Sequence, residues 1–338
     1  MIEGPVVLPP QPLRSPLFHA QEVHHQESIV TPAPKSECPR DVNHGAIAED
    51  WRHRGWHARR QMVRQALGKR GSKSRTDAFS VCGTWCVVER SPSENRVRIR
   101  GNYCHDRFCE PCGRARSNRI AKNLEKQMCE KGLAGKHFRL ITLTLKHSRA
   151  PLSKQVDRLY KSFRALRACG CWKRSQDGGA AFLEIKRSAT GEWHPHLHVV
   201  MEGGFLDQGV LRDEWHRITK DSFIADIRMV RDLSQAAAYV AKYAAKPMDP
   251  SIFSDSEALA ESIGALSGRR LCTTLGTWRG FELEKKPPDP KDWELVWKLS
   301  EFLLLLRSQD PTAVRFAKDN RICFHELDET QDLYLSSA

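Results

Sequence analysis

The run Trp193-His-Pro-His-Leu-His-Val-Val200 constrains this chain more than any other stretch. Its polar and apolar residues alternate with a period of two, and an extended strand turns such a pattern into two distinct faces. His196 and His198 then project together from one face, while Leu197 and Val199 point into a core. Two imidazoles fixed on one rigid face are half of a divalent-metal site. Further on, Tyr239-Val-Ala-Lys-Tyr-Ala-Ala-Lys246 places two tyrosines four residues apart, on one side of a helix. Metal-binding histidines with a helical tyrosine pair point to covalent phosphoryl chemistry on a nucleic acid.

The surrounding pattern sets the fold class. Residues 137–147 alternate Ile141, Leu143 and Leu145 with Thr142 and Thr144, which reads as a strand. Ser153 reads as the cap of a helix whose apolar face is Val156, Leu159, Tyr160, Phe163 and Leu166. Residues 180–187 form a second strand, with Glu184 opposite Leu183 and Ile185, and a turn at Gly191 leads into the histidine strand, which ends near Met201. Asp207 starts a helix, 224–231 is a fourth strand, and Ser234 reads as the cap of the tyrosine helix. The order is βαββαβ followed by a helix. That predicts an α+β fold with a ferredoxin-like antiparallel sheet, helices on one face and the other face open to a ligand.

Composition bounds the rest. The 338 residues allow one to three domains, and a net charge of +13 favours a polyanionic partner. The longest apolar run, Phe302-Leu-Leu-Leu-Leu306, is too short for a membrane span, and the first residues do not read as a secretory signal. Eleven cysteines without an export signal predict reduced thiols and metal ligation in a cytoplasmic protein. No phosphate-loop motif occurs, which argues against an appended helicase ATPase. The expected organisation is a proline-rich disordered leader (1–45), then a basic region and cysteine-rich module ending in a helix over 113–130 (46–132). The catalytic domain (133–248) and an extension of unassigned role (249–338) follow. In that extension 249–290 read as loops and 292–308 as a helix.

Glu184 lies on the strand before the histidines and can supply a third ligand, giving a set that by softness matches Mg²⁺ or Mn²⁺ only poorly to moderately, Mn²⁺ the better. Lys242 and Lys246 each follow a tyrosine by three residues. A phenol is a poor nucleophile near neutral pH, and a metal and ammonium groups beside it favour phenolate.

His-Pro-His-Leu-His with Glu184 upstream, and Tyr239-x-x-Lys-Tyr243-x-x-Lys, resemble the second and third motifs of the HUH endonucleases. More narrowly they resemble rolling-circle replication initiators of plasmids and single-stranded DNA phages, of the two-tyrosine type. Leu140-Ile-Thr-Leu-Thr-Leu145 is similar to that family's first motif, and the likeness runs from Cys82 to Lys246. It implies a site-specific single-strand nickase and strand transferase. His196, His198 and Glu184 would hold Mg²⁺ or Mn²⁺. Tyr243 would open the strand as a 5′-phosphotyrosine and Tyr239 would act in the closing transfer, with Lys242 and Lys246 as supporting charges. The implied partners are single-stranded or hairpin origin DNA, a host helicase and a DNA polymerase, and no membrane.

The segment Cys82-Gly-Thr-Trp-Cys86 with Cys104-His-Asp-Arg-Phe-Cys109-Glu-Pro-Cys112 offers more than four zinc ligands. Plasmid initiators carry a similar cluster ahead of the catalytic domain. The resemblance favours Cys82, Cys104, Cys109 and Cys112 for Zn²⁺, with Cys86 or His105 as substitutes, bracing a basic segment (Arg114, Arg116, Arg119, Lys122) against DNA. This chain departs from the pattern by one extra residue between Cys104 and Cys109. Three other readings stay open, one of them a non-catalytic zinc-dependent DNA-binding regulator whose histidines are structural. His194-x-His196-x-His198-Val-Val200 also fits the pattern of histidine-triad nucleotide hydrolases, and a two-tyrosine transposase would share the nickase chemistry.

Overall fold

The computed structural model describes residues 43–245, 249–320 and 322. Residues 1–42 of the proline-rich leader and Lys246 lie outside the described residues, while the end of the expected disordered leader, 43–45, is ordered as the cap and first residues of a helix. Three helices come first, α1 (His44–His53), α2 (His57–Arg70) and α3 (Lys73–Ser80), in the stretch whose composition was only basic. Strands β1 (Cys86–Ser91) and β2 (Arg96–Gly101) form a hairpin, and α4 (Glu110–Leu133) follows. That helix starts three residues earlier than its apolar spacing suggests, because Pro111 suits a first turn.

The larger sheet holds β3 (Phe138–Thr144), β4 (Gln176–Arg187) and β5 (Trp193–Gly203), with β6 (Ala225–Met229) on one edge. Helices α5 (Leu152–Ala168) and α6 (Gly170–Ser175) join β3 to β4, and α7 (Gln208–Thr219) joins β5 to β6. The tyrosine helix is α8 (Leu233–Ala245). Two expected caps are displaced. The N-cap of α5 is Pro151 and no side chain caps it. Asp232, not Ser234, accepts from the backbone of Gln235 at the start of α8, since an acceptor must precede the first turn to reach its free N–H groups.

The C-terminal third departs most from expectation. Residues 249–290 contain α9 (Ser256–Leu266), capped by Asp255, and β7 (Cys272–Gly276), which pairs with β4 as the fifth strand in the order β6-β3-β5-β4-β7. Of the expected helix over 292–308, the leucine run is helical as α10 (Leu299–Arg307), but its first half is instead β8 (Glu294–Lys298), and a further helix, α11 (Pro311–Asp319), follows. Pairing with β1 captures Leu295 and Trp297 as strand residues, making a small sheet β2-β1-β8. Long-range pairing has overridden local helix preference there. A domain boundary at 248/249 would therefore cut through the larger sheet.

Sheet register decides what each face carries. Odd-numbered Ile141, Leu143, Leu183, Leu197 and Val199 pack with α5, α7 and α9 in one core. Even-numbered Ala180, Phe182 and Val200 pack against α4 and α8 in a second. The expectation of one open sheet face is thus corrected, since helices cover both. The apolar stripe of α4 (Ile120, Leu124, Met128) needs a partner, and Val240 and Ala241 of α8 supply it. Ser117 of α4 donates to the Ala241 carbonyl at 2.8 Å, fixing α8 along the sheet.

Candidate metal and tyrosine site

The histidine face lies where the second core ends. His198 sits across from Thr142 on β3 and Phe182 on β4, and His196 across from Thr144 and Glu184. Thr142 Oγ1 lies 3.2 Å from His198 Nδ1, and Thr144 Oγ1 lies 2.9 Å from His196 Nδ1. With both Nδ1 atoms held by hydroxyls, both Nε2 atoms turn to the site. His198 Nε2 meets Glu184 Oε2 at 2.8 Å. His196 Nε2 is buried with no hydrogen-bond partner. An orphaned imidazole nitrogen beside a carboxylate is the chemistry a divalent cation satisfies. The donors are not drawn in as tightly as the cysteines, since the two imidazole rings stand 6.3 Å apart.

Electrostatics keep the donors in ligand form. Burial, with the neighbouring His194, depresses His196 to about 3, so it stays neutral at ordinary pH. Burial is the largest influence on Glu184 and raises it, but the hydrogen bond to His198 and the nearby charges, Lys186 among them, together outweigh it and the carboxyl ends below its usual value. Lys186, across from His194, places its Nζ 3.7 Å from Glu184.

The tyrosines arrive on α8. Tyr243 stacks flat on His198, with ring centroids 3.9 Å apart and planes 2° from parallel. Tyr239 meets His198 edge-on at 5.9 Å. Lys242 Nζ lies 4.1 Å from the Tyr239 ring centroid and 4.7 Å from that of Tyr243. Exposure separates the two, 5% for Tyr243 against 41% for Tyr239. Burial, then the Tyr239 phenol and the Glu184 carboxylate, push the Tyr243 phenol up, and burial lowers Lys242. The protein alone does not favour phenolate at Tyr243, contrary to what the adjacent lysine suggests. Thr142 and Thr144 were visible in the sequence only as strand residues. Their role as imidazole holders depends on the β3–β5 register.

The four preferred cysteines converge. Sγ–Sγ distances are 3.9 Å for Cys82–Cys109, 3.7 Å for Cys82–Cys112 and 3.8 Å for Cys104–Cys112. A tetrahedron with Zn–S bonds of about 2.3 Å has edges of about 3.8 Å. All four ligand atoms lie within 4.8 Å of one another, so this cluster can hold a metal ion such as zinc. Cys86 and His105 are not substitutes: Cys86 packs in another core beside Tyr103, and His105 is exposed. Mutual S–H···S hydrogen bonding pulls Cys82 below the usual thiol value. The helix α1 closes over the cluster. Arg52 Nη2 lies 3.7 Å from Cys112 Sγ, and His53 Nε2 lies 2.8 Å from the Cys82 carbonyl oxygen. Gly83, at φ +82°, leaves the room Arg52 needs, as a Cβ there would come within 2.7 Å of the Arg52 side chain. In the basic segment, Arg114 pairs with Glu110 and Arg116 with Glu284, so those two charges are engaged within the protein.

The depressed His196 gives a pH signature. The unfolded chain takes up this proton below about pH 6.5 and the folded one only near pH 3, so stability falls as pH drops through that window. The expected slope from this residue is about 1.4 kcal/mol per pH unit at most. His196→Gln should flatten the acid limb of stability against pH, read by urea unfolding. An unchanged acid limb would contradict the assignment.

The fold and sites define a mixed α+β protein with antiparallel sheets and a cysteine cluster able to hold a metal. Residues 95–316 match the replication protein family, about two thirds of the chain, and the chain belongs to that family. The match runs from β2 to α11, so the C-terminal elements are part of the family's pattern. Membership supports a role as a rolling-circle replication initiator. No curated protein and no solved structure matches the chain. No helix among the described residues is long and apolar enough to cross a membrane.

Proposed function

We propose that the protein is a metal-dependent nickase and strand transferase of the HUH type, acting on origin DNA through a covalent 5′-phosphotyrosine. The observation that carries this reading is His198, which contacts Glu184 at 2.8 Å and carries Tyr243 stacked at 3.9 Å. Candidate metal ligands and candidate nucleophile thus share one imidazole. The order β6-β3-β5-β4 supports the ferredoxin-like layout of that class.

His196, His198 and Glu184 would hold Mg²⁺ or Mn²⁺, and the bound ion would polarise the scissile phosphate and draw a phenol toward phenolate. Thr142 and Thr144 keep each imidazole turned with Nε2 toward the site. The Tyr243 oxygen attacks phosphorus, the bond to the 3′-oxygen breaks, and the phenolic proton passes to solvent. The departing 3′-oxygen takes up a proton and becomes the free end that a host polymerase extends, on a strand a host helicase opens. Lys242, close to both rings, offsets the charge that builds on the phosphate. Tyr239, far more exposed, has room for the second transfer. In a histidine-triad hydrolase the Tyr243 stack would have no part in the chemistry.

The test is to incubate the protein with labelled single-stranded origin hairpins and Mn²⁺, and to look for an adduct that survives SDS. Peptide mapping should then place the adduct on Tyr243 in the first turnover, and Tyr243→Phe should remove it. No adduct with any hairpin would sink the nickase reading. An adduct on histidine, or cleavage untouched by Tyr243→Phe, would favour the triad hydrolase.

A further inference from the structure

The larger sheet ends on β6, and no strand pairs beyond it among the described residues. Ladder parity fixes what that edge offers. The Ile224 carbonyl accepts from the Thr144 N–H at 3.1 Å, and the Val230 N–H donates to the Phe138 carbonyl at 2.9 Å, so even-numbered residues here bond to β3. Antiparallel pairs alternate, which turns the N–H and C=O groups of Ala225, Ile227 and Met229 away from β3, toward the open edge. Large apolar side chains crowd the same edge. Phe223, Ile224 and Met229 are each more than half exposed. Phe205, more exposed still, lies against the guanidinium of Arg139, which sits across from Met229. Single exposed apolar residues are ordinary, but such a group beside an unpaired strand edge marks a contact surface.

The charges on β6 choose the partner. Asp226 and Arg228 share one face of the strand, and within one copy they pair with each other in the open, with Arg228 Nε 2.7 Å from Asp226 Oδ2. Two copies of β6 can pair antiparallel about a two-fold axis, with the axis at one residue. An axis at Asp226 or at Arg228 sets like charges opposite each other, which is destabilising. An axis at Ala225 or at Met229 leaves both charges without an opposite partner across it. An axis at Ile227 sets each Asp226 opposite the partner's Arg228, Ala225 opposite the partner's Met229 and Ile224 opposite the partner's Val230. The hydrogen-bonded pairs then fall on Ala225, Ile227 and Met229, whose backbone groups face outward. The Asp226–Arg228 contacts fall at non-hydrogen-bonded positions, where Cα atoms approach to about 4.5 Å and side chains lie closest. The four charges alternate in sign and sum to zero.

We propose that β6 is a dimerisation edge, at which two copies of this chain join their larger sheets antiparallel about Ile227. The contact is the same patch on both copies, so it closes at two. Its axis runs normal to the sheet, and the histidine faces of both copies therefore look the same way. His198 lies on β5, two strands in from the edge, so the two imidazoles stand five strand spacings apart, about 24 Å. What two such sites do together rests on the nickase reading, but the pairing does not.

The test is sedimentation velocity of the full chain, without DNA, across a concentration series. Wild type should show a monomer–dimer equilibrium. Asp226→Arg and Arg228→Asp each put two like-charge contacts across the axis and should each weaken dimerisation about 100-fold. An equimolar mixture of the two variants should recover wild-type affinity as a heterodimer, because every arginine then faces an aspartate. The double variant, with the charges exchanged in one chain, keeps the pair along the strand and should dimerise like wild type. Melting temperatures near that of wild type show that each variant is folded. Wild type that stays monomeric at every concentration would overturn the proposal and leave the edge to a different protein. So would a dimer whose affinity is unchanged in both single variants, or monomeric variants that fail to combine when mixed. Dimerisation through this edge with no SDS-resistant adduct would leave the edge standing while the nickase reading falls, and an adduct formed by a strictly monomeric protein would do the reverse.

Discussion

His198→Ala is expected to cut formation of the SDS-resistant DNA adduct about 10³-fold, because one substitution takes away two functions. A metal that stabilises developing charge contributes several kcal/mol to the barrier, and each 1.4 kcal/mol is tenfold in rate. His198 offers the Nε2 that faces Glu184, and it is also the surface on which Tyr243 lies. Thr142→Val provides the graded comparison. It keeps both imidazoles and frees only Nδ1 of His198, so it should weaken apparent Mn²⁺ affinity roughly 10–100-fold and be rescued by excess metal. Quantified gel shifts across a Mn²⁺ titration read both variants. If His198→Ala cleaves like wild type, the histidines are structural and the proposed chemistry fails. If Thr142→Val is not rescued by metal, its hydroxyl does something other than hold the ring.

The second large effect is expected at the cysteines. Removing zinc from small metal-folded peptides costs about 10–16 kcal/mol of binding free energy, whereas a chain with its own cores loses only part of its stability. Here the cluster ties α1, through Arg52 and His53, to the start of α4, whose N-cap is Cys109. Cys109→Ser should therefore lose the bound zinc and lower the melting temperature by roughly 10 °C, which corresponds to several kcal/mol for a chain of this size. A chelator should reproduce the shift in wild type and do nothing further in the variant. Cys86→Ser is the control, since that thiol lies in another core, and zinc stoichiometry should stay unchanged. Atomic absorption and calorimetry decide the matter. Wild type isolated without zinc, melting at the same temperature with and without chelator, would show the cluster to be four reduced thiols.

Local pattern and tertiary structure divided the work unevenly. Strands β3 to β6 and helices α5, α7 and α8 were legible because alternation and helical spacing are properties of short windows. His196 and His198 share a face by strand geometry alone, and Tyr239 and Tyr243 share a side of α8 by helix geometry alone. Even the preferred cysteine set could be named from spacing and resemblance, and its sulfurs converge.

What local pattern could not supply was anything set by partners distant in the chain. The strand β8 formed where helix was expected because β1 offered it an edge, and β7 joined the larger sheet from a stretch that read as loop. The second sheet face, expected to be open, is covered by α4 and α8, since two apolar helix stripes found each other there. Register, a long-range property, aligned Thr142 and Thr144 with the two imidazoles and set Glu184 opposite His196. Which side chains stand together on one strand or one helix was readable from the chain alone, because that follows from backbone periods of 2 and 3.6 residues. That Tyr243 lies flat on His198 with its phenol suppressed while Tyr239 stays exposed came from packing, because burial and inter-element contact are properties of the folded chain.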